Sequence, residues 1–222
     1  MSQPRFLILT ALLPEAQTLA TALSLPRVRE LRYCWAGPQI TLVNVGLRAT
    51  RLASITPLLA DTPSFQHIIL AGISGALSPG LAVGDVLLDA GEASPPPAIA
   101  GVMQGKICTS TELIATPAAK AALRAKTACD AVDMEGDTVR AFLAARGLGL
   151  LHLRAISDSA EQALDPRFVH LVDDRGRPRI GRAVAFLLSH PGKMAELLRL
   201  QRATQLALSK LCAALRLIIA AY

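Results

Sequence analysis

Several short apolar runs in this chain, FLIL, HIIL and LLHL among them, are continuous instead of alternating. A strand with one wet face alternates apolar and polar residues, whereas a strand covered on both faces does not. The runs therefore require a central sheet buried on two sides, and the longer helical patterns between them supply the cover. Strands are predicted over residues 6–11, 40–45, 67–71, 85–89, 106–109, 131–134 and 148–156. Helices are predicted after Pro14 and over 48–59, 117–126 and 135–146; Pro14 and Pro117 suit a first turn, where the missing N–H costs nothing.

Two segments interrupt this alternation. The loop GEASPPPAIAG, residues 91–101, has three consecutive prolines and predicts a surface loop or crossover. The stretch DDRGRPR, residues 173–179, breaks two apolar patterns. Beyond it, IGRAVAFLLSH predicts a helix ended by Pro191, and a longer helix runs from 193 to about 220.

With 222 residues, 52% hydrophobic, the chain suits one domain with one core, 1–222, carrying a helical carboxyl extension from about 163. Mean hydropathy is high at +0.41, but charges, Gly or Pro break each apolar run short of the roughly 18 residues a membrane span needs. With no leader-like N-terminus either, a cytoplasmic location is expected. Cys34, Cys108, Cys129 and Cys212 lie far apart without a C-x-x-C pair, so neither a metal site nor a disulfide framework is expected. The net charge of +6 is concentrated late, with ten Lys or Arg against five Asp or Glu from Glu161 onward. Aromatics at 4% give little stacking surface, and the basic side chains are not gathered on one recognition face, so no nucleic-acid partner is expected.

Candidate chemistry lies where strands end, because an open α/β sheet places its ligand at the carboxyl ends of its strands. One cluster is AGISGALSPGLAVGD, residues 71–85, where Gly72 and Gly75 let backbone approach a ligand. It lacks the spacing of a dinucleotide fingerprint and the lysine of a P-loop, and a structural turn fits it as well or better. RAISDSAEQ, residues 154–162, delivers Asp158 at a strand end between Ser157 and Ser159. A helix cap is its plain alternative. AVDMEGD brings Asp133, Met134, Glu135 and Asp137, and TALLPEA brings Glu15. If their strands are neighbours, Glu15, Glu135 and Asp158 converge on one edge.

The blocks AGISGALSPGLAVGD, AVDMEG and RAISDSA, in that order and with Glu15 near the start, resemble the nucleoside phosphorylase and nucleosidase superfamily. The methylthioadenosine/S-adenosylhomocysteine nucleosidases are the most similar of its purine-directed members. The carboxyl pattern from Ala163 to Leu211 is similar to that of the hopanoid-associated phosphorylases, which act on adenosylhopane. The resemblance implies a three-layer α/β/α sandwich around a mixed sheet, cleavage of a purine N-glycosidic bond and a homodimer or larger homo-oligomer. It implies no cofactor, with phosphate as a possible co-substrate.

By the same resemblance Asp158 protonates the purine at N7, Ser157 orients it, and Arg154 holds charge in the pocket. Met134 and Glu135 receive the ribose, and Glu15 activates water. Leu113 and Ile114 occupy the base-binding loop, where related nucleosidases carry an aromatic. Ile73 stands where phosphorylases have a phosphate-binding serine, with Ser74 one place later. Together with Glu15 this favours water over phosphate, while Gly46 and Arg48 keep an anion site open. A widened pocket would suit a 5′-substituted or lipid-linked adenosine, and Arg182, Arg199, Arg202 and Lys210 beside long Leu runs would suit peripheral contact with an anionic membrane. A non-catalytic nucleoside binder is the alternative of another class.

Overall fold

The computed structural model describes residues 5–60, 65–91, 93–165, 167, 173 and 189–222. The strands are β1 (Phe6–Thr10), β2 (Cys34–Ala36), β3 (Ile40–Asn44), β4 (His67–Ala76), β5 (Val86–Asp89), β6 (Val102–Gln104), β7 (Ile107–Thr109), β8 (Ala131–Asp133) and β9 (Leu151–Asp158). They form one mixed sheet in the order β2-β3-β1-β4-β9-β5-β6, with β8 joined to the end of β4 and β7 to β8. The principal helices are α1 (Leu13–Ala22), α2 (Thr56–Ala60), α3 (Pro117–Thr127), α4 (Gly136–Ala144) and α5 (Met194–Ala221).

The unalternating runs are explained by two apolar layers. Phe6 and Ile8 of β1 face Leu13 and Leu19 of α1 and Leu211, Leu215 and Ile218 of α5. Leu7 and Leu9, the intervening residues, face Val139 and Leu143 of α4 together with Leu52 and Ile55. Successive side chains on a strand point to opposite faces, so a strand between two helical layers needs apolar residues at every position. α5 is long and apolar enough, by length and composition, to cross a membrane. Its Ala207, Leu208, Leu211, Ala214, Leu215 and Ile218 are instead buried on the sheet, which makes it a layer of the core.

The element boundaries differ from expectation in three informative places. The helix expected over 48–59 is two 3₁₀ turns, Leu47–Ala49 and Leu52–Ile55, followed by the short α2. Gly46 (φ 81°), Arg48 (φ 53°) and Ala49 (φ 55°) sit in the left-handed region, which no α-helix tolerates in its first turns. The glycine block, for which a turn was a fair reading, continues β4 as far as Ala76. β2 and β6, three residues each, were not predicted, being short strands at the two ends of the order. The proline-rich stretch forms a crossover between the parallel β5 and β6. The helix expected over 180–190 lies almost wholly outside the described residues.

β4 sets the position of the cleft. Its first half pairs with β1 at His67–Leu70, and its end pairs with β8 at Gly75–Ala76. Between the carboxyl end of β1 and β8, Ala71–Ser74 have no strand neighbour on that side among the described residues. A crevice opens there, flanked by the residues that follow β1 and β8 and by the last residues of β9.

Candidate active site

A cleft of about 300 Å³ occupies that crevice, and Glu15, Ser74, Gly75, Leu113, Met134, Glu135, Arg154, Ser157 and Asp158 all border it. A small annex of about 50 Å³ adds Ile114 beside Leu113, Met134 and Asp158. The carboxylates expected to meet at one edge therefore do so. α5 also contributes a wall, through Leu200 and Thr204.

Glu15 enters from the first turn of α1 and is 2% exposed. Its Oε2 accepts the Leu12 amide at 2.8 Å, capping the helix, and its Oε1 accepts the Ile73 amide at 3.0 Å. Burial raises its pKa from the ordinary 4.5 to about 7, although the Arg154 guanidinium and those two amides pull the other way. A carboxyl that titrates near neutrality can take a proton from water and return it, as a general base must. Within the glycine block the Ile73 amide is thus spent on Glu15.

Glu135 is the residue before α4. Its Oε1 accepts the Arg48 amide at 2.9 Å and its Oε2 lies 3.3 Å from Arg154 Nη2. Burial raises its pKa; Arg154 opposes the rise and Asp133 adds to it. Arg48 reaches Glu135 through this backbone amide, and the residue itself is exposed and is not among those that border the cleft. Gly46 shapes the left-handed turn that presents the amide.

Arg154 is fully buried beneath the cleft and pairs with Asp133 as well as Glu135, while its Nε lies 2.9 Å from His152 Nε2. Asp133 also accepts Thr109 Oγ1 at 2.7 Å and the Gly136 amide at 3.0 Å, so it caps α4 while anchoring the arginine. Burial opposes its ionisation, but Arg154 and the His152 contact prevail and hold its carboxyl well below the usual range. Burial pushes the His152 pKa down against the pull of Asp133. Asp137 remains a first-turn acid of α4.

The glycines explain how so many side chains fit. Gly72 pairs in register with Arg154 and Gly75 with Asp158. A Cβ on Gly72 would collide with Arg154 Nη1 and stand 2.8 Å from Glu15 Oε1; one on Gly75 would stand 2.9 Å from Asp158 Oδ2. The block thus serves the site by lacking side chains, and neither position requires a positive φ. A register shift between Ser74 and Gly75 skips Ser157. Such a bulge re-aims the residue after it, and here that residue is Asp158.

Asp158 is 5% exposed. Its Oδ1 lies 2.8 Å from Ser157 Oγ, and its Oδ2 is 2.5 Å from Lys120 Nζ. Lys120, His152 and Thr109 were not anticipated. His152 was discoverable, since H-x-R places it on the same strand face as Arg154. Lys120 was not, because its flanking helix residues, AA and AAL, define no face.

The sheet order, its two helical layers and this crevice define the fold of the nucleoside phosphorylases and nucleosidases. Solved structures that share it include the following three. Methylthioadenosine/S-adenosylhomocysteine nucleosidase of Neisseria meningitidis, in complex with methylthio-immucillin-A, has a TM-score of 0.67 at 15% identity, covering 97% of this chain and 98% of its own. The futalosine hydrolase of Helicobacter pylori gives 0.64 at 14% over 98% and 97%, and the methylthioadenosine nucleosidase of Arabidopsis thaliana gives 0.64 at 15% over 98% and 97%. No family model and no curated protein matches the chain.

Proposed function

We propose that this protein hydrolyses the N-glycosidic bond of a purine nucleoside, adenine being the base. The observation that carries the reading is one cleft bordered by Glu15, with a pKa near 7, and by Asp158 on another wall. Binding alone has no use for a buried carboxyl poised to exchange protons, whereas bond cleavage needs a base for water and an acid for the leaving group. Glu15 takes the proton of the attacking water, which adds to the ribose C1′. Glu135 accepts the ribose hydroxyls and its negative charge favours the developing oxocarbenium, while Met134 packs on the sugar. Asp158 faces the base and returns a proton to N7. Arg154, held by Asp133, keeps Glu15 and Glu135 in one electrostatic frame.

Phosphorolysis is the second reading, and Ser74 favours it: its buried Oγ borders the cleft with no hydrogen-bond partner among the described residues. A finer proposal concerns the 5′ group. Leu200 and Thr204 of α5 line the cleft, so an apolar substituent such as that of a lipid-linked adenosine has a helix wall to pack against. Arg199 and Arg202 on α5 would then meet anionic lipid at a membrane surface.

Adenosine, methylthioadenosine and a 5′-alkylthio adenosine, each with and without phosphate, test these readings through release of adenine. Release without phosphate is expected, fastest for the alkylthio compound. Phosphate-dependent release would transfer the reaction to phosphorolysis, and no adenine in any mixture would leave a nucleoside binder. Co-sedimentation with anionic liposomes tests the membrane contact; protein left in the supernatant removes it.

A further inference from the structure

Lys120 is a buried cation that the proposed hydrolysis leaves unused. It projects from α3 behind Asp158, is 0% exposed and borders neither the cleft nor its annex. Its Nζ lies 2.5 Å from Asp158 Oδ2, 2.6 Å from the Ser159 carbonyl and 3.2 Å from the Gln162 carbonyl. An ammonium has three N–H donors, and these three acceptors use them all.

Resting on the reading of Asp158 as the group that faces the base, we propose that Lys120 holds the proton that Asp158 delivers, so that the leaving-group acid is an ammonium–carboxylate pair. Two features of the geometry support a proton store over a simple anchor. The amine left after one proton departs still has two N–H bonds, enough for the Ser159 and Gln162 carbonyls, and its lone pair faces Asp158. The ammonium–carboxylate pair and the amine–carboxyl pair formed by that first transfer are therefore both fully hydrogen-bonded, which avoids at this step the usual cost of moving a proton inside a protein. Oδ2 is also the oxygen that abuts Gly75, a residue of the cleft, where no side chain stands in the way.

In the transfer, one Nζ–H bond breaks as Oδ2–H forms; the hydroxyl turns about the Cγ–Oδ2 bond toward the cleft, and Oδ2–H breaks as N7–H forms. The C1′–N bonding pair moves onto the purine, water supplies hydroxide to C1′, and the proton of that water goes to Glu15. Once products leave, Lys120 regains a proton from solvent through Asp158 while Glu15 releases one. Lys120 touches no substrate and is a positioning residue that also carries charge for its partner.

Lys120→Arg and Lys120→Met, each checked for folding by thermal unfolding, test the proposal on a purine nucleoside and on 4-nitrophenyl β-ribofuranoside, whose leaving group departs without a proton. An arginine keeps the positive charge but does not release its proton in proteins. Both variants are expected to lose about 100-fold or more in kcat on the purine nucleoside with little change in KM, and to keep their rate on the nitrophenyl riboside within about threefold. If Lys120→Arg retains more than a tenth of the purine kcat, a fixed charge suffices and the proton store is wrong, even if Lys120→Met does not fold. Equal losses on both substrates would mean misplacement of the site and would also overturn it. A wild-type protein that cleaves neither substrate refutes the proposed function itself, and the role of Lys120 with it.

Discussion

Replacing Glu15 with glutamine separates the base from its burial cost. In the wild type the Glu15 carboxyl titrates near 7 in the folded state against an ordinary 4.5, because burial disfavours its charge. Below about pH 4.5 both states hold the proton and the group contributes nothing to the pH dependence of stability. Between the two values the unfolded chain is ionised while the folded one is still protonated, so stability falls as pH rises; above about 7 the loss is complete, at about 3 kcal/mol. Glutamine does not titrate and removes this fall. It also places an NH₂ against one of the two amides that Glu15 accepts, from Leu12 and Ile73, at a pH-independent cost of about 1–3 kcal/mol. Absolute stability is thus a poor readout and its pH slope a good one. In urea titrations, Glu15→Gln minus wild type is expected to grow in favour of the variant by about 2.5 kcal/mol between about pH 5 and pH 8. The corresponding Tm difference is about 5–10 °C for a chain of this size. Turnover in the variant should vanish, and wild-type kcat/KM should drop about tenfold per pH unit below about 7 as the base becomes protonated. A stability difference that stays flat with pH would show that Glu15 is ionised throughout, and the assignment of a neutral-range base would fail.

Gly72→Ala puts a methyl group onto Arg154 and against Glu15 Oε1, so the arginine must leave its seat; a loss of about 2–3 kcal/mol in urea unfolding is expected, with adenine release down at least about tenfold. Asp133→Asn removes the carboxylate that anchors Arg154 and contacts His152. Breaking a buried pair on one side costs about 3–5 kcal/mol, and an unchanged denaturation midpoint would count against that anchoring. Asp158→Asn should abolish turnover and, because it takes the carboxylate charge from the buried Lys120 ammonium and leaves at best a neutral amide oxygen in its place, should also lower the Tm; the double variant with Lys120→Met should recover part of that loss.

Sequence reports the layers of this fold better than its exceptions, and the reason is geometric. Phe6–Thr10 is legible because each residue meets a helical layer, so burial on both faces is written as an unbroken apolar run. β4 is only half legible. Its second part carries glycines whose empty positions are filled by Arg154, Glu15 and Asp158, and a strand that yields its side-chain space to neighbours has the composition of a loop. The turn from Gly46 to Ala49 is illegible for the opposite reason: Arg48 and Ala49 adopt left-handed backbone that neither residue prefers, held by an amide contact to Glu135 that is 87 residues distant.

The same division runs through the site. Glu15, Glu135 and Asp158 could be placed because each lies at or shortly after the end of a strand, and strand ends in an α/β sheet converge. What could not be placed was the set of partners that determines their charge. Asp133 looked like a strand-end acid and is the anchor of a buried arginine; Lys120 sits among alanines and meets Asp158 from 38 positions away. Low-dielectric surroundings make those contacts decisive, since an acid at a strand end is a helix cap in water and a proton carrier only when burial and a neighbouring charge act on it together. Asp158 shows the consequence. Taken from sequence as a lone carboxylate, it could be exchanged for asparagine with the fold intact, whereas in the folded chain removing one charge exposes another that has no access to water.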